Sequence, residues 1–170
     1  MSRSKNERNT VSIQYASRAD YCRIFQEDMH SLYLLSFMLT ANHAKAEQCY
    51  LESIEHAVKG RPVFKEWARS WCKRTVIQNA IRLVFSEGVR YESRDLWPEP
   101  STGSSIDNVT QLSQLERFVF VMSVLARYSD RECSILLNCT SQDVVDARLV
   151  ALRAMGGFDA MKQGVGLQRA

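Results

Sequence analysis

Between Tyr21 and Leu39 the apolar residues Tyr21, Ile24, Phe25, Met29, Leu32, Leu35 and Leu39 return at spacings of three and four. That rhythm matches an α-helix at about 3.6 residues per turn and is incompatible with the two-residue period of a strand. It recurs down the chain. A second helix is expected over 44–58, with Ala46, Cys49, Tyr50, Ser53, Ile54 and Ala57 facing inward and Glu47, Gln48, Glu52, Glu55 and His56 pointing elsewhere. The tetrapeptide KGRP ends it, because Gly60 can leave the helix and Pro62 forbids continuation nearby. A third helix is expected from about Phe64 to Val84, its inner face formed by Phe64, Trp67, Ala68, Trp71, Thr75, Ile81 and Val84. Seven Gly and three Pro in 170 residues supply few of the turns that a strand-rich fold needs. The fold class expected is all-α.

The rhythm breaks once. SEGVRYESRDLWPEPSTGSSIDNVT loses periodicity and gathers Gly, Pro, Ser and acids, as a linker does, with some local order around Trp97. The helical pattern returns in LSQLERFVFVMSVLARY, where Leu112, Leu115, Phe118, Val119, Met122 and Leu125 share a face. The chain therefore divides into a disordered basic tail over 1–17, a helical domain over 18–84, a flexible linker over 85–110, a second helical domain over 111–156 and a flexible tail over 157–170, with Gly156 and Gly157 as the stop of the last helix.

The second domain carries a recognisable local grammar. Arg131 to Leu137 fits a short helix capped by Ser129 or Asp130, and Asn138 suits a left-handed turn. Cys139 is small enough to plug the angle between two helices. Thr140 and Asp143, three apart, start a longer helix with Val144, Val145, Leu149, Leu152 and Met155 inward. This is a helix-turn-helix pattern, shared with ordinary helical hairpins. Asp143 and Asp146 cancel Arg148 and Arg153, whereas phosphate contacts need a surplus of Lys and Arg.

The first domain has the surplus. Arg61, Lys65, Arg69 and Lys73 recur every four residues, and Glu66 is the only acid between Arg61 and Arg82. A basic stripe beside an irregular loop suits single-stranded nucleic acid. Trp67 and Trp71 are able to stack on bases, but a Trp at helical spacing among apolar neighbours is more often core. The net charge of +3 permits a polyanionic partner without demanding one.

Other chemistry finds no footing. Cys22, Cys49, Cys72, Cys133 and Cys139 are scattered without a CxxC, as expected of a reducing cytoplasm, and the first residues have no signal-peptide core. No apolar run approaches a membrane span. His30, His43 and His56 lack metal-ligand spacing, and no catalytic or phosphate-loop motif occurs, so neither an enzyme nor a metal or other cofactor is expected.

Three segments resemble a known family. LYLLSFMLTANHAKAEQCYLESIEHAV is similar to an LYxLAxxLT helix followed by DAEDLVQETFLRAW. FKEWARSWCKRTVIQNAI is similar to FRAWLYRIARNLAID. LSQLERFVFVMSVLARYSDRECSILLNCTSQDVVDARLVALRAM is similar to LPxxxRxVFLLRxxxxxSYxEIAxxLGxSxxTVxSRLxRARxxL. In this order they resemble the RNA polymerase sigma factors of the sigma-70 family, extracytoplasmic-function type, as a divergent member, over about Tyr21 to Met155.

The resemblance implies a bacterial, cytoplasmic transcription initiation factor. Its partners would be core RNA polymerase and promoter DNA, with an anti-sigma factor as a further candidate. Polymerase binding would fall on Glu47, Gln48, Leu51, Glu52 and Glu55, where Gln48 replaces an acid and Leu51 a polar residue. Capture of the −10 strand would fall on Lys59, Arg61, Lys65, Arg69, Lys73, Arg74, Gln78 and Asn79, with Arg74 where the family usually has Asn. Reading of −35 duplex would fall on Arg131, Ser141, Gln142, Arg148 and Arg153, with Asp146 at a usually basic position and Val150 at a usually polar one. The alternative is a divergent helical interaction module that keeps the fold and no longer reads promoters.

Overall fold

The computed structural model describes residues 14–85 and 105–164. The expected tail before Gln14, most of the expected linker, Trp97 with it, and the last six residues lie outside the described residues. Within them the protein is all-helical apart from a single isolated bridge pairing Tyr15 with Phe64. No described helix is long and apolar enough to cross a membrane.

The first apolar face is carried by two helices. α1 (Arg18–Glu27) starts on a capping box in which Ser17 and Asp20 bond each other's backbone N–H. It ends at Asp28, which also opens α2 (Met29–Thr40). The Asp28 backbone (φ −98°, ψ 15°) leaves the helical region, and its carboxylate is bound by Arg69 from a later helix. The single helix expected here is thus bent at Asp28, and Met29, expected to be buried, stays 58% exposed. α3 (His43–Lys59) is capped by Asn42, whose side chain accepts from Lys45 N–H at 3.0 Å. A 3₁₀ turn (Lys65–Trp67) leads into α4 (Ala68–Phe85). α2, α3 and α4 pack on one another through Leu32, Leu35, Leu39, Cys49, Ala57, Cys72, Val76, Ile77 and Ala80. The small residues Ala46, Ala68 and Ala80 let these helices approach closely.

The expected linker is helical at its end. α5 (Ser105–Gln111) packs on α2 and buries Asn108, Val109 and, just past its end, Leu112. The polar letters around Val109 hid this turn, because one Val and one Leu give no period to read. α6 (Gln114–Val119) passes into a π-helical turn (Phe120–Leu125), which adds a residue to the turn and rotates the face that follows. That is why Val121 is fully buried and Leu125, expected inward, is 47% exposed. α7 (Asp130–Leu137) is capped by Ser129 and Glu132. Asn138 stands in the left-handed region (φ 52°, ψ 48°), as the turn requires. α8 (Ser141–Gly164) starts where Thr140 and Asp143 bond each other, and it continues through Gly156 and Gly157 past the expected stop. A glycine costs a helix about 1 kcal/mol against Ala, which a 24-residue helix absorbs. Its inward face is Val144, Ala147 and Ala151; Leu149 and Leu152, expected inward, are exposed.

The two helical blocks share one core. Buried residues from Tyr21 to Ala151 form a single cluster, and α2 touches α5, α6 and the π turn. Phe85 meets Phe118 edge to face at 5.0 Å. Arg117, 7% exposed, sends its guanidinium across the junction. It donates to the carbonyls of Leu39 (3.1 Å), Leu112 (3.1 Å) and Thr110 (3.4 Å). Burial without a carboxylate depresses its pKa to about 10. Side chains of both blocks meet around this cation.

Arg117→Ala should leave the buried carbonyls of Leu39 and Leu112 and the partly buried one of Thr110 without this donor and cost about 3 kcal/mol, read as a lower urea midpoint. Unfolding of the wild type should follow one transition by every probe. A second expectation concerns acid. Hydrogen bonds from Ser17, first its backbone N–H and then its hydroxyl, with Lys65 beside them, hold the Asp20 carboxyl down at about 2. The Arg148 guanidinium lowers Asp130. The Ser129 hydroxyl and N–H lower Glu132, and those of Thr140 lower Asp143. Each folded value lies below the unfolded one, so this stabilisation is complete above the unfolded carboxylate range and is lost as pH falls through the depressed values. Thermal midpoints measured from pH 6 downward should fall steepest below about pH 4.5.

Candidate nucleic-acid interface

The loop after α3 is built by close approach. A Cβ on Gly60 would stand 2.9 Å from the His56 carbonyl oxygen, so glycine is needed there although its φ is an ordinary −71°. Pro62 then keeps the chain extended. Residues 14–16 run antiparallel to this exit: Ala16 N–H donates to Val63 O at 2.8 Å and Lys65 N–H to Gln14 O at 2.9 Å. The pairing stacks Tyr15 on Phe64 with ring centres 5.0 Å apart and planes 24° from parallel. Phe64 meets Trp67 edge-on at 5.1 Å. Tyr15 is 58% and Trp67 57% exposed, so both offer ring surface to solvent. The sequence placed Tyr15 in the tail and Trp67 in the core; the 3₁₀ turn at Lys65–Trp67 is what rotates Trp67 outward. Trp71, a turn later, is half-buried as expected.

The same segment carries several cations. Lys59 and Arg61 are exposed, and Arg61 has no partner among the described residues. Lys59 pairs with Glu55 at 3.0 Å, and Lys65 with Asp20 at 3.3 Å. Arg69 binds Glu27 at 2.8 Å and also Asp28. Of the four cations read from the sequence as a stripe, Lys65 and Arg69 are thus matched by acids of α1 and its end that the spacing could not show. Lys73 and Arg74 are half-buried and Gln78 is exposed. Asn79 is not part of this surface. It is 3% exposed and its amide donates to Ser53 Oγ at 2.9 Å, while its oxygen shares a 2.8 Å hydrogen bond with His56 Nδ1. Burial among α3 groups removes it from the candidate contacts.

On α3, Glu47, Gln48, Leu51 and Glu55 are exposed, Leu51 at 53%. Glu52 is half-buried between Arg82 and the Gln48 amide, which donates to it at 3.0 Å. An apolar side chain ringed by carboxylates suits a protein partner better than a polyanion.

On the C-terminal block, Arg131, Ser141 and Arg153 are exposed, and neither Arg has a partner among the described residues. Gln142 donates to Asp146 at 2.9 Å. Arg148 is half-buried in a two-pronged pair with Asp130, one prong at 3.1 Å, and ties α8 to α7. Asp143 is spent on the start of α8. So of five candidate duplex contacts, two are already engaged inside the protein.

The described residues hold no group of three His, Cys, Asp or Glu that could bind a metal. Burial pushes the Cys49 and Cys133 thiols up to about 11 and Cys72 to about 12. All stay protonated and unreactive near neutrality. Brief iodoacetamide treatment of the native protein should label the exposed Cys22 and spare Cys49, Cys72 and Cys133 until denaturant is added, as peptide mass spectrometry would show.

Comparison with protein-family models and with curated proteins finds no match.

Proposed function

We propose that this chain is a sigma factor-like transcription initiation protein, which binds core RNA polymerase and directs it to promoter DNA. In this reading α3 meets the polymerase through Glu47, Gln48, Leu51, Glu52 and Glu55. The loop after it and the outer side of α4 capture the unpaired −10 strand. α7, the Asn138 turn and α8 form a helix-turn-helix that approaches −35 duplex. Chemistry would belong to the polymerase, and no residue of this chain is assigned a catalytic role.

The observation that carries the reading is the Tyr15–Phe64–Trp67 cluster, with Tyr15 and Trp67 open to solvent and exposed Lys59, Arg61 and Lys65 on the same stretch of chain. Unpaired bases have two apolar faces and a charged backbone, and exposed rings beside cations match both. The pairs at Lys65 and Arg69 do not close the site. Lys65 and Arg69 are themselves exposed, and ion pairs at the surface contribute little, so a phosphate can replace the carboxylate. The Arg148–Asp130 pair is less exchangeable because it is partly buried and braces two helices. Duplex contact would then rest on Arg131, Ser141 and Arg153, and be weak.

A second reading, a helical interaction module that no longer reads promoters, is favoured by the exposed apolar residues Leu51, Leu149, Val150 and Leu152. Reconstitution separates the two. With core polymerase and a promoter library, the wild type should give specific transcripts. Trp67→Ala and Arg61→Glu should each reduce them about tenfold, the loss of one stacked base or one phosphate contact. No complex with core polymerase at low salt would sink the first reading, and a complex without transcripts would favour the second.

A further inference from the structure

Helix α8 has an outward face that the core leaves unused. Val144, Ala147 and Ala151 are buried. At about 3.6 residues per turn, Leu149 stands opposite them, and it is 46% exposed. Half-buried Val145 and 44%-exposed Leu152 flank it on one side, with exposed Asp146 and Arg153 on the other. Gly156 lies in line two turns on, with nothing within 4 Å of where its Cβ would be. Val145, Leu149, Leu152 and Gly156 thus follow the four-three-four spacing of a coiled-coil seam, and Asp146 and Arg153, seven apart, border it.

We propose that this face of α8 pairs antiparallel with the same face of a second copy, forming a symmetric dimer. Charge and size select this occupant. About a twofold axis between positions 150 and 151, Leu149 meets Leu152 of the second copy, and Val145 fits over Gly156. Asp146 then borders Arg153 of the second copy, twice by symmetry. Parallel pairing would instead set Arg153 across from Arg148 of the second copy and give Asp146 no cation to meet. A uniformly acidic or basic partner would satisfy one charge and repel the other. Arg153 has no partner among the described residues, and Asp146 is held only by the exposed Gln142 amide, so both are available for exchange. The seam is short, smaller than a standard-size interface, and the dimer is accordingly weak and reversible.

This inference does not depend on the transcription reading, and its test uses no nucleic acid or polymerase. Sedimentation equilibrium of the full chain from about 1 to 300 µM should show a monomer–dimer equilibrium. Asp146→Arg and Arg153→Asp should each raise the dissociation constant at least about tenfold by setting like charges together. The two single variants mixed in equal amounts should associate again as a heterodimer, and the double exchange in one chain should dimerise like the wild type. Leu149→Asp should abolish association with the thermal midpoint unchanged, since the position is exposed. A wild type that stays monomeric throughout overturns the proposal. So does a dimer indifferent to Leu149→Asp, or one that the mixed variants fail to restore.

Discussion

Among the described residues, the junction between the two helical blocks is pinned by one buried guanidinium hydrogen-bonded across it. Arg117 reaches the carbonyl of Leu39 near the end of α2 and the carbonyls of Thr110 and Leu112 around the end of α5. A charge in that position is expensive, and three carbonyl dipoles are the compensation available. The arrangement fixes where α6 starts, and Phe118 beside it is then delivered against Phe85. Had a Leu stood at 117, the two blocks could slide on an oily junction. The directional bonds of Arg117 specify one register between them.

Local rules for caps and tight turns survived, although the glycine stop at Gly156 and Gly157 did not. Asn138 takes the left-handed turn, Ser129 caps α7, and Thr140 with Asp143 opens α8. What failed was phase. A bend at Asp28, a 3₁₀ turn before α4 and a π turn after α6 each shift the helical face by a fraction of a turn. Periodicity assumes a constant residue count per turn, so Met29, Trp67 and Leu125 were assigned inward and stand outward. A further misassignment has a different root at α8, where small Ala147 and Ala151 won the core and larger Leu149 and Leu152 did not. Close helix packing favours small residues at the contact, and hydrophobicity alone does not rank them.

Charge was legible as position and illegible as availability. Lys65 and Arg69 lie on the expected stripe, yet Asp20, Glu27 and Asp28 come from α1, some forty residues away in sequence. Arg148 pairs with Asp130 of the preceding helix, and Asn79 turns inward to Ser53 and His56. Long-range partners of this kind leave no mark in a single sequence. The candidate site is therefore smaller in charge than the sequence suggests, and larger in aromatic surface, because Tyr15 joins it through backbone pairing with the loop.

The outward face of α8 brings these threads together. Gln142 and Arg153 belong to the surface that a helix-turn-helix would turn toward a groove, and the seam of Val145, Leu149 and Leu152 lies on that same surface. A second copy and a DNA duplex cannot both occupy it. Asp146 opposes phosphate and complements Arg153 of another chain, so at this position the two uses pull the sequence in opposite directions. The residues present lean toward the apolar use: two exposed leucines and a Gly156 with open space beside it have no role against a phosphate backbone. If the chain does approach duplex DNA, it must first give up the pairing of α8. The strength of that pairing then sets a threshold concentration above which the duplex-facing surface is withdrawn.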